Sequence, residues 1–335
     1  MLSQRGESTL RALITGIAGF AGSHLADHLL TQEGIEVFGI CLPGESTRNL
    51  QSILDRIELY PVDLHDAADV RRLMGTIHPD LIFHLAAQAS VERAWANPAE
   101  TLATNITIQL NLLQAIIALG IAPRLLIVGS ADEYGLVRPD DLPIDEDTPL
   151  RPLNPYAVSK VTQDFLGLQY HLSHHLPIVR VRPFNHIGPR QGRGFVVPDF
   201  CAQIARIETG LVEPVLKVGN LSAQRDFTDV RDIVRGYYLA LTKGTPGQVY
   251  NLGSSRAQAI QGILDSLLGM SHVTVHVEMD PARMRPSDIP TLVCDSSRLQ
   301  AETGWKPEYT LQQSLQDALD DWRERIRQEQ KPTNR

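Results

Sequence analysis

A glycine-rich turn close to the start of the 335-residue chain constrains the fold more than any other feature. The stretch ALITGIAGFAGSHLADHLL places Gly16, Gly19 and Gly22 between a β-rich run and a helical pattern, with Phe20 and Ala21 inside the turn. The first glycine permits a tight turn, the second lets backbone amides approach a pyrophosphate, and the third lets helix and strand pack closely. The helix N-terminus adds a positive dipole. The loop therefore predicts dinucleotide binding, and the alternative is a tight turn only.

The rest of the first half continues this pattern, because short β-rich runs alternate with longer helical patterns. Strands are expected at residues 12–15, 35–40, 57–62, 81–86, 124–128 and 177–182, and helices at 20–32, 67–77 and 99–120. This alternation predicts an α/β protein with a Rossmann-type, doubly wound parallel sheet. After about residue 183 the pattern becomes irregular, which indicates a smaller α+β C-terminal substrate-binding part. Later helices are expected at 196–209, 229–242, 257–269 and 311–327.

Charge and composition argue against several classes of protein. The net charge of −8 argues against a nucleic-acid-binding surface, and no apolar run approaches the ~20 residues that would span a membrane. Cys41, Cys201 and Cys294 are far apart and form no CxxC, which indicates a reducing, cytoplasmic location. The histidines have no carboxylate or thiolate nearby in a ligand pattern, so we expect no metal.

Residues after the second and third strands bear on the choice of cofactor. The second strand ends in GICLP, without the acid that commonly holds the adenosine ribose of NAD. Arg48, in the next loop, could meet a 2′-phosphate or be a solvated charge. These features favour NADP(H) over NAD(H). Asp63 with Leu64 could contact the adenine, although Asp63 or Asp66 could equally cap the next helix.

A set of proton-transfer groups follows in the sequence. Residues 154–160 read NPYAVSK, so Tyr156 and Lys160 share one face of a helix that Pro155 begins. A free tyrosine, with a pKa of ~10, is a poor acid or base at pH 7, but a nearby ammonium and a bound cofactor would favour its phenolate. Ser130 follows the strand at 124–128 and can hydrogen-bond a substrate carbonyl. Together these residues predict acid–base chemistry beside a hydride donor.

The order of these motifs resembles the sugar-nucleotide-modifying group of the extended short-chain dehydrogenase/reductase family. TGIAGFAG, HLAAQASV, GSADEYG, NPYAVSK, RPFNHIGPRQ and RDFTDVRDIV follow that order over about residues 11–327. The resemblance implies a mainly NAD(P)-binding domain over residues 1–182, a mainly sugar-nucleotide-binding part over 183–330 with interleaving segments, and a polar tail at 328–335. It implies cofactor contacts from Leu85, Ala86 and Ala87. It also implies a homodimer formed by the helices at 99–120 and 155–174.

The second half resembles members of this group that act on GDP-linked 6-deoxy keto sugars. The resemblance implies reduction of the C4 keto group of GDP-4-keto-6-deoxy-D-mannose to GDP-D-rhamnose by NAD(P)H, with Tyr156 as proton donor. The residues that match the family's substrate contacts, with weaker candidates on the same loops, are Asn185, Arg193, Lys217, Arg225, Arg285 and Asp288. Any single arginine among them could instead form a surface ion pair.

The residues after Ser130 bear on the type of reaction. GDP-mannose dehydratases of this family carry a glutamate two residues after the equivalent hydroxyl, where this chain has Asp132, and Ala131 stands where other dehydratases have a first acid. We expect Asp132 to belong to the catalytic group and Glu133 to be structural or solvated, since an extended backbone would turn it away. Reduction is therefore favoured over 4,6-dehydration of GDP-mannose. Further alternatives are a 4-epimerase, which usually has an acid after the second strand, and a non-catalytic nucleotide sensor, which typically loses the tyrosine or lysine.

Overall fold

Strands and helices alternate as far as residue 183 and then continue in a less regular order. The structure is a computed structural model that describes residues 9–283 and 289–330. Its strands are β1 (Leu10–Thr15), β2 (Ile35–Cys41), β3 (Glu58–Pro61), β4 (Leu81–His84), β5 (Arg124–Val128), β6 (Ile178–Pro183), β7 (Asn185–Ile187), β8 (Val215–Val218), β9 (Gln224–Asp229), β10 (Val249–Leu252), β11 (Ala257–Ala259), β12 (His276–Met279) and β13 (Thr291–Leu292). Its α-helices are α1 (Phe20–Leu29), α2 (Ala67–Ile77), α3 (Val91–Ala96), α4 (Pro98–Leu119), α5 (Pro155–His174), α6 (Val196–Glu208), α7 (Val230–Lys243), α8 (Ile260–Gly269), α9 (Ser297–Thr303) and α10 (Leu311–Gln330).

Seven parallel strands form the central sheet in the order β3-β2-β1-β4-β5-β6-β10. The predicted Rossmann-type α/β fold is therefore confirmed. Along β1, Ala12 and Ile14 belong to one buried cluster and Leu13 to another, because successive side chains point to opposite faces. The strand order reverses between β1 and β4, and ligands of open α/β sheets bind at the carboxyl ends of the strands at such a point.

Helices cover both faces of this sheet. Helices α1 and α7 pack together over one face, and α2, α4 and α5 form a layer over the other. The smaller part buries a separate apolar cluster between α6, α8 and α10. It contains a four-stranded sheet, in which β11, β13 and β7 all pair with β9, and the two-stranded pair of β8 and β12.

The two parts interleave in sequence. Helix α7 and strand β10 come after residue 183, yet they pack on and extend the central sheet. The division at residue 182 stays a prediction. Helix α10 continues to Gln330, so the polar tail that we expected from residue 328 begins inside a helix.

One helix in the described part of the chain, α4, is long and apolar enough to cross a membrane, with 22 residues that include an 18-residue stretch of mean hydropathy 1.5. Our expectation that no apolar run approaches this length was wrong for this segment. Its contacts are those of a core helix, since Asn105 and Gln109 are fully buried and hydrogen-bond to α5. Asn105 Nδ2 donates to Ser159 Oγ at 2.9 Å, and Gln109 Nε2 donates to the Gln163 carbonyl at 2.8 Å.

Candidate active site

The glycine loop joins β1 to α1 and is packed too tightly for side chains. Gly16 has a φ of +73°, in the left-handed region that favours glycine. A Cβ on Gly22 would lie 2.2 Å from the Gly16 carbonyl oxygen and 2.9 Å from Ile17 Cα. A Cβ on Gly16 would lie 3.0 Å from backbone atoms of Ala86, just after β4. The loop therefore forms a close-packed backbone cradle at the carboxyl edge of the sheet.

Helix α1 points its N-terminus into this cradle. Gly19, which precedes the helix, has no side chain to cap it, and no acidic residue lies in its first turn. The positive end of the helix dipole is thus available to an anion, and the cradle fits a pyrophosphate. Phe20 stacks on His186, with ring centroids 5.7 Å apart and planes at 10°, and so joins this loop to the segment after β6.

The other predicted cofactor residues lie along the same edge, with differing contacts. Leu85, Ala86 and Ala87 follow β4 directly and are partly exposed. Arg48 is exposed, and its Nη2 donates to Gln328 Oε1 of α10 at 2.7 Å. The neighbouring Asn49 Nδ2 donates to the Ala18 carbonyl in the glycine loop at 3.0 Å.

The structure separates the two readings of the aspartates after β3. Asp66 caps α2, because its Oδ1 accepts from Ala68 N–H and Asp69 N–H. Asp63 does not cap that helix, and its Oδ1 instead accepts from the His65 backbone N–H at 2.9 Å. Asp63 is exposed, whereas its neighbour Leu64 is buried. Their contact with an adenine stays a prediction.

Tyr156 and Lys160 lie in the first two turns of α5, and both are buried. Asn154 begins the helix, since its Oδ1 accepts from Ala157 N–H at 2.7 Å, and Pro155 occupies the first turn. Lys160 Nζ donates to the Val128 carbonyl at 2.9 Å, at the end of β5. The Nζ atom lies 6.0 Å from the centre of the Tyr156 ring. The helix and the strand end therefore bring the tyrosine and lysine to one place.

The protein's own groups keep Tyr156 protonated. Burial raises the pKa of the phenol well above its ordinary value, the Asp132 carboxylate raises it further, and a hydrogen bond from the Ser130 side chain opposes both. Burial lowers the pKa of Lys160 to about 8, and the Glu133 carboxylate opposes that shift. A protonated tyrosine is suited to donating a proton, whereas the phenolate that we expected depends on a bound cofactor and stays a prediction.

The segment after Ser130 is a 3₁₀ turn (Ala131–Glu133), where we expected an extended backbone. Ser130 Oγ accepts from Asp132 N–H at 3.1 Å, which leaves the hydroxyl proton free to donate. Because the turn coils, Asp132 remains close enough to Tyr156 to raise its pKa. Glu133 is completely buried, so a solvated position for it was wrong.

Glu133 belongs to a buried ionic group that sequence reasoning missed. Its Oε1 accepts from Ser130 N–H at 2.8 Å, and Arg182 Nε lies 3.1 Å from its Oε2. Arg182 Nε also donates to Asp164 Oδ2 at 2.8 Å, and Arg180 pairs with the other oxygen of Asp164. Burial and the neighbouring Asp164 raise the pKa of Glu133, while Arg182 lowers it.

The predicted substrate residues are distributed over the smaller part. Asn185 is exposed on β7. Arg225 is partly buried, and its Nη1 donates to the Ile289 carbonyl at 2.7 Å. Arg285 and Asp288 lie outside the described residues.

Arg193 and Lys217 line a surface cavity of about 230 Å³ beside α6 and β8. Arg206 and Arg283, which sequence reasoning missed, line it too, so four cationic side chains meet there. Their ion pairs are long, such as 3.7 Å from Arg193 Nε to Asp199 and 3.8 Å from Arg283 to the same carboxylate. The cavity therefore suits an anionic ligand, whose phosphate oxygens guanidinium groups would bind. Among residues 9–283 and 289–330, no three His, Cys, Asp or Glu side chains are placed to hold a metal.

The seven-stranded parallel sheet, the glycine loop and the Tyr–Lys helix beside a strand-end serine define a short-chain dehydrogenase/reductase. The family model for GDP-mannose 4,6 dehydratase matches residues 13–318, and the chain belongs to this family. A GDP-6-deoxy-D-mannose reductase from Pseudomonas aeruginosa is 37% identical over 324 residues, which cover 96% of this chain and 100% of the relative. A GDP-mannose 4,6-dehydratase from Vibrio cholerae is 30% identical, over 92% of each chain.

Solved structures give the same family relation. The structure of RMD from Pseudomonas aeruginosa complexed with NADPH has a TM-score of 0.84 and 36% identity, and covers 95% of this chain and 100% of that one. A UDP-glucose 4-epimerase from Thermus thermophilus in complex with NAD has a TM-score of 0.83 and 30% identity, over 94% and 99% of the two chains. Relatives of this fold thus hold NADPH in one case and NAD in another.

Proposed function

We propose that the protein reduces the C4 keto group of GDP-4-keto-6-deoxy-D-mannose to GDP-D-rhamnose, with NADPH as the reductant. The observation that carries the proposal is the turn after Ser130. Dehydration would need a base for the C5 proton and an acid for the C6 hydroxyl. In the turn itself, Ala131 supplies no acid and Glu133 is held by Arg182, so Asp132 alone remains. The full-length similarity to a GDP-6-deoxy-D-mannose reductase supports the same choice.

The residues of the site divide the proposed chemistry between them. The bound cofactor would supply a hydride to C4 of the sugar. Tyr156, which its surroundings keep protonated, gives its proton to the oxygen that was the keto oxygen, so that an alcohol forms. The Ser130 hydroxyl donates a hydrogen bond to the same oxygen and so polarises the carbonyl. The glycine loop and the N-terminus of α1 would hold the pyrophosphate of the cofactor, and Lys160 would hold the nicotinamide ribose.

The GDP end of the substrate is proposed to bind in the cationic cavity. Arg193 and Lys217, which line it, are substrate contacts that the sequence predicts, and Arg206 and Arg283 add two further positive charges. A nucleoside diphosphate carries two negative charges on its pyrophosphate, which such side chains complement.

Turnover of the two GDP sugars distinguishes the proposed reductase from a dehydratase. With NADPH and GDP-4-keto-6-deoxy-D-mannose we expect one NADPH to be oxidised for each GDP-D-rhamnose formed, followed by cofactor absorbance and product NMR. Tight NADP(H) binding without oxidation would contradict the proposal. Conversion of GDP-mannose to the keto sugar with catalytic NADP⁺ would show dehydratase activity, for which Asp132 and the dehydratase relatives are the supporting observations.

Arg48 is proposed to favour NADPH over NADH by contacting the 2′-phosphate. Arg48 is exposed, and its neighbour Asn49 hydrogen-bonds to Ala18, which places Arg48 beside the glycine loop. Its own hydrogen-bond partner, Gln328, carries no charge. A charge-assisted hydrogen bond is worth about 1.5–3 kcal/mol, so Arg48→Ala should raise the KM for NADPH about tenfold or more. The KM for NADH should change less than about twofold, and Arg72→Ala, an exposed arginine on α2, should change neither. An equal rise in KM for NADPH and NADH would contradict this role of Arg48.

We also propose that a second copy of the chain covers the outer face of α4 and α5. Large apolar side chains are exposed there, among them Phe165 at 52% and Leu172 at 65%. Large exposed apolar side chains grouped on one helix face commonly mark a protein interface. Sedimentation should give twice the chain mass of 37.1 kDa, and a monomeric mass would contradict the dimer.

A further inference from the structure

The carboxylate of Glu133 is completely buried beside the reaction centre, although the proposed reaction gives it no step. One of its oxygens accepts from the Ser130 backbone N–H at 2.8 Å, and the other faces Arg182 Nε at 3.1 Å. A buried carboxylate loses its hydration, so its position next to a reacting serine needs a physical reason.

Arg182 connects the serine turn to the helix that carries the other reacting groups. Its Nε donates to Asp164 at 2.8 Å, and Asp164 follows Lys160 by four residues and Tyr156 by eight on α5. At 3.6 residues per turn, the three side chains share one face of the helix. Arg180 completes the group through its pair with Asp164, so two guanidinium groups meet two carboxylates. The ionic group therefore links the serine turn, β6 and the face of α5 that bears the tyrosine and lysine.

The end of β5 is shaped around this carboxylate. A Cβ on Gly129 would lie 2.2 Å from Glu133 Oε1, so a side chain at that position would displace the carboxylate. Tyr134, the next residue, is held on both sides of its hydroxyl, because it donates to Asn251 Oδ1 at 2.6 Å and accepts from Arg182 Nη1 at 3.1 Å. These contacts leave the Glu133 side chain little freedom to move.

We propose that Glu133 is a positioning residue, which keeps the Ser130 hydroxyl at a fixed position relative to Tyr156 and Lys160. It does so by tying the serine turn, through Arg182, to Asp164 on α5. Glu133 acts on the reaction mainly through the serine, besides its electrostatic effect on Lys160, and touches neither substrate nor cofactor. The inference rests on the proposed function only in that Ser130 takes part in the reaction.

Two substitutions weaken this link to different extents. Glu133→Gln keeps the shape and the acceptor for Ser130 N–H, but it places an amide NH₂, a donor, opposite the Arg182 N–H, so the hydrogen bond to Arg182 is lost. Glu133→Ala removes both contacts. Loss of one catalytic hydrogen-bond donor costs roughly 10²–10³ in kcat, and a misplaced donor loses part of that. We expect kcat to fall about tenfold for Glu133→Gln and roughly 100-fold for Glu133→Ala, with KM within about twofold of the unchanged protein.

A double-mutant cycle tests whether the effect passes through the serine. In a Ser130→Ala background, Glu133→Gln should lower kcat by less than about twofold more, because there is no hydroxyl left to position. A fully multiplicative loss in the double variant would refute the inference.

Glu208→Gln is the matched control. Glu208 forms a bidentate pair with Arg323 at 2.7 Å, and each side chain is 9% exposed, in the smaller part of the protein. This control should lower Tm by as much as Glu133→Gln while leaving kcat unchanged. An equal fall in kcat for Glu208→Gln would show that general destabilisation explains the result.

Amide hydrogen exchange separates a failure of this inference from a failure of the proposed reaction. Glu133→Ala should raise exchange in peptides that cover residues 129–135, and Glu208→Gln should not. Unchanged exchange in Glu133→Ala would overturn the inference even in an active enzyme. Raised exchange there, in a protein whose unchanged form reduces no keto sugar, would support the positioning contact and contradict only the reductase.

Discussion

Tyr156→Phe should lower kcat by roughly 10²–10⁴-fold, the typical contribution of a well-placed general acid. The substitution removes one oxygen and leaves the buried ring in place, so α5 and the packing around it should be retained. The proton that the sugar oxygen receives is lost, together with the hydrogen bond from the Ser130 side chain. Single-turnover oxidation of NADPH measures the chemical step, and fluorescence titration measures the Kd for NADPH, which should stay within about twofold.

Tyr170→Phe is the control for this substitution, because Tyr170 lies on the same helix, where its ring packs against His174. It should keep the kcat of the unchanged protein. If Tyr156→Phe retained more than about a tenth of the normal kcat, another group would have to supply the proton.

Gly22→Ala should weaken NADPH binding about 100-fold and lower Tm by roughly 5 °C. The new Cβ would lie 2.2 Å from the Gly16 carbonyl oxygen, a distance at which either the loop or the start of α1 must move. Such a movement disrupts the cradle of backbone N–H groups that would hold the pyrophosphate, and each lost charge-assisted hydrogen bond costs about 1.5–3 kcal/mol. Calorimetric titration with NADPH and a thermal scan measure the two effects.

Gly262→Ala is the control, because it adds the same Cβ atom at a place where no backbone atom lies close. Gly262 lies in α8, and a Cβ there would meet nothing within 4 Å. This variant should bind NADPH normally and be more stable by up to about 1 kcal/mol, as expected for alanine in a helix. Normal affinity in Gly22→Ala would mean that the cofactor does not depend on this loop.

The central sheet was largely predictable because its strands and helices carry strong local patterns. The strands expected at 35–40 and 124–128 are Ile35–Cys41 and Arg124–Val128 in the structure. Apart from the strand that ends at Lys217 and Val218, the strands after residue 183 were missed because they are short, and because each is stabilised by pairing with a distant segment, which local patterns do not encode. Strand β10 is the clearest case, with four residues, beginning at Val249, that complete a sheet begun at Leu10.

The reacting side chains were easier to predict from the sequence than the buried ionic group that holds them. Tyr156 and Lys160 follow from a local spacing, and Ser130 from its position at a strand end. Of the two alternatives for Glu133, structural or solvated, only the solvated one was wrong: its carboxylate is buried and, with the serine hydroxyl, caps a 3₁₀ turn, whereas an extended backbone would have turned it away. A usable signal was present in β6, where Arg180 and Arg182 interrupt an apolar strand. In a sheet covered on both faces, two such charges require buried acids nearby.

The position of β10 has a consequence for how the chain is synthesised. When the ribosome has released the first 183 residues, six strands of the sheet are available, but the outer edge of β6 has no neighbour. That edge presents a row of open N–H and C=O groups, which can pair with the strands of another nascent chain. It stays open until residue 252 emerges, after β7, β8 and β9 have been made for the smaller part. The order of synthesis therefore leaves this protein with an interval in which a chaperone that shields β6 would favour its folding.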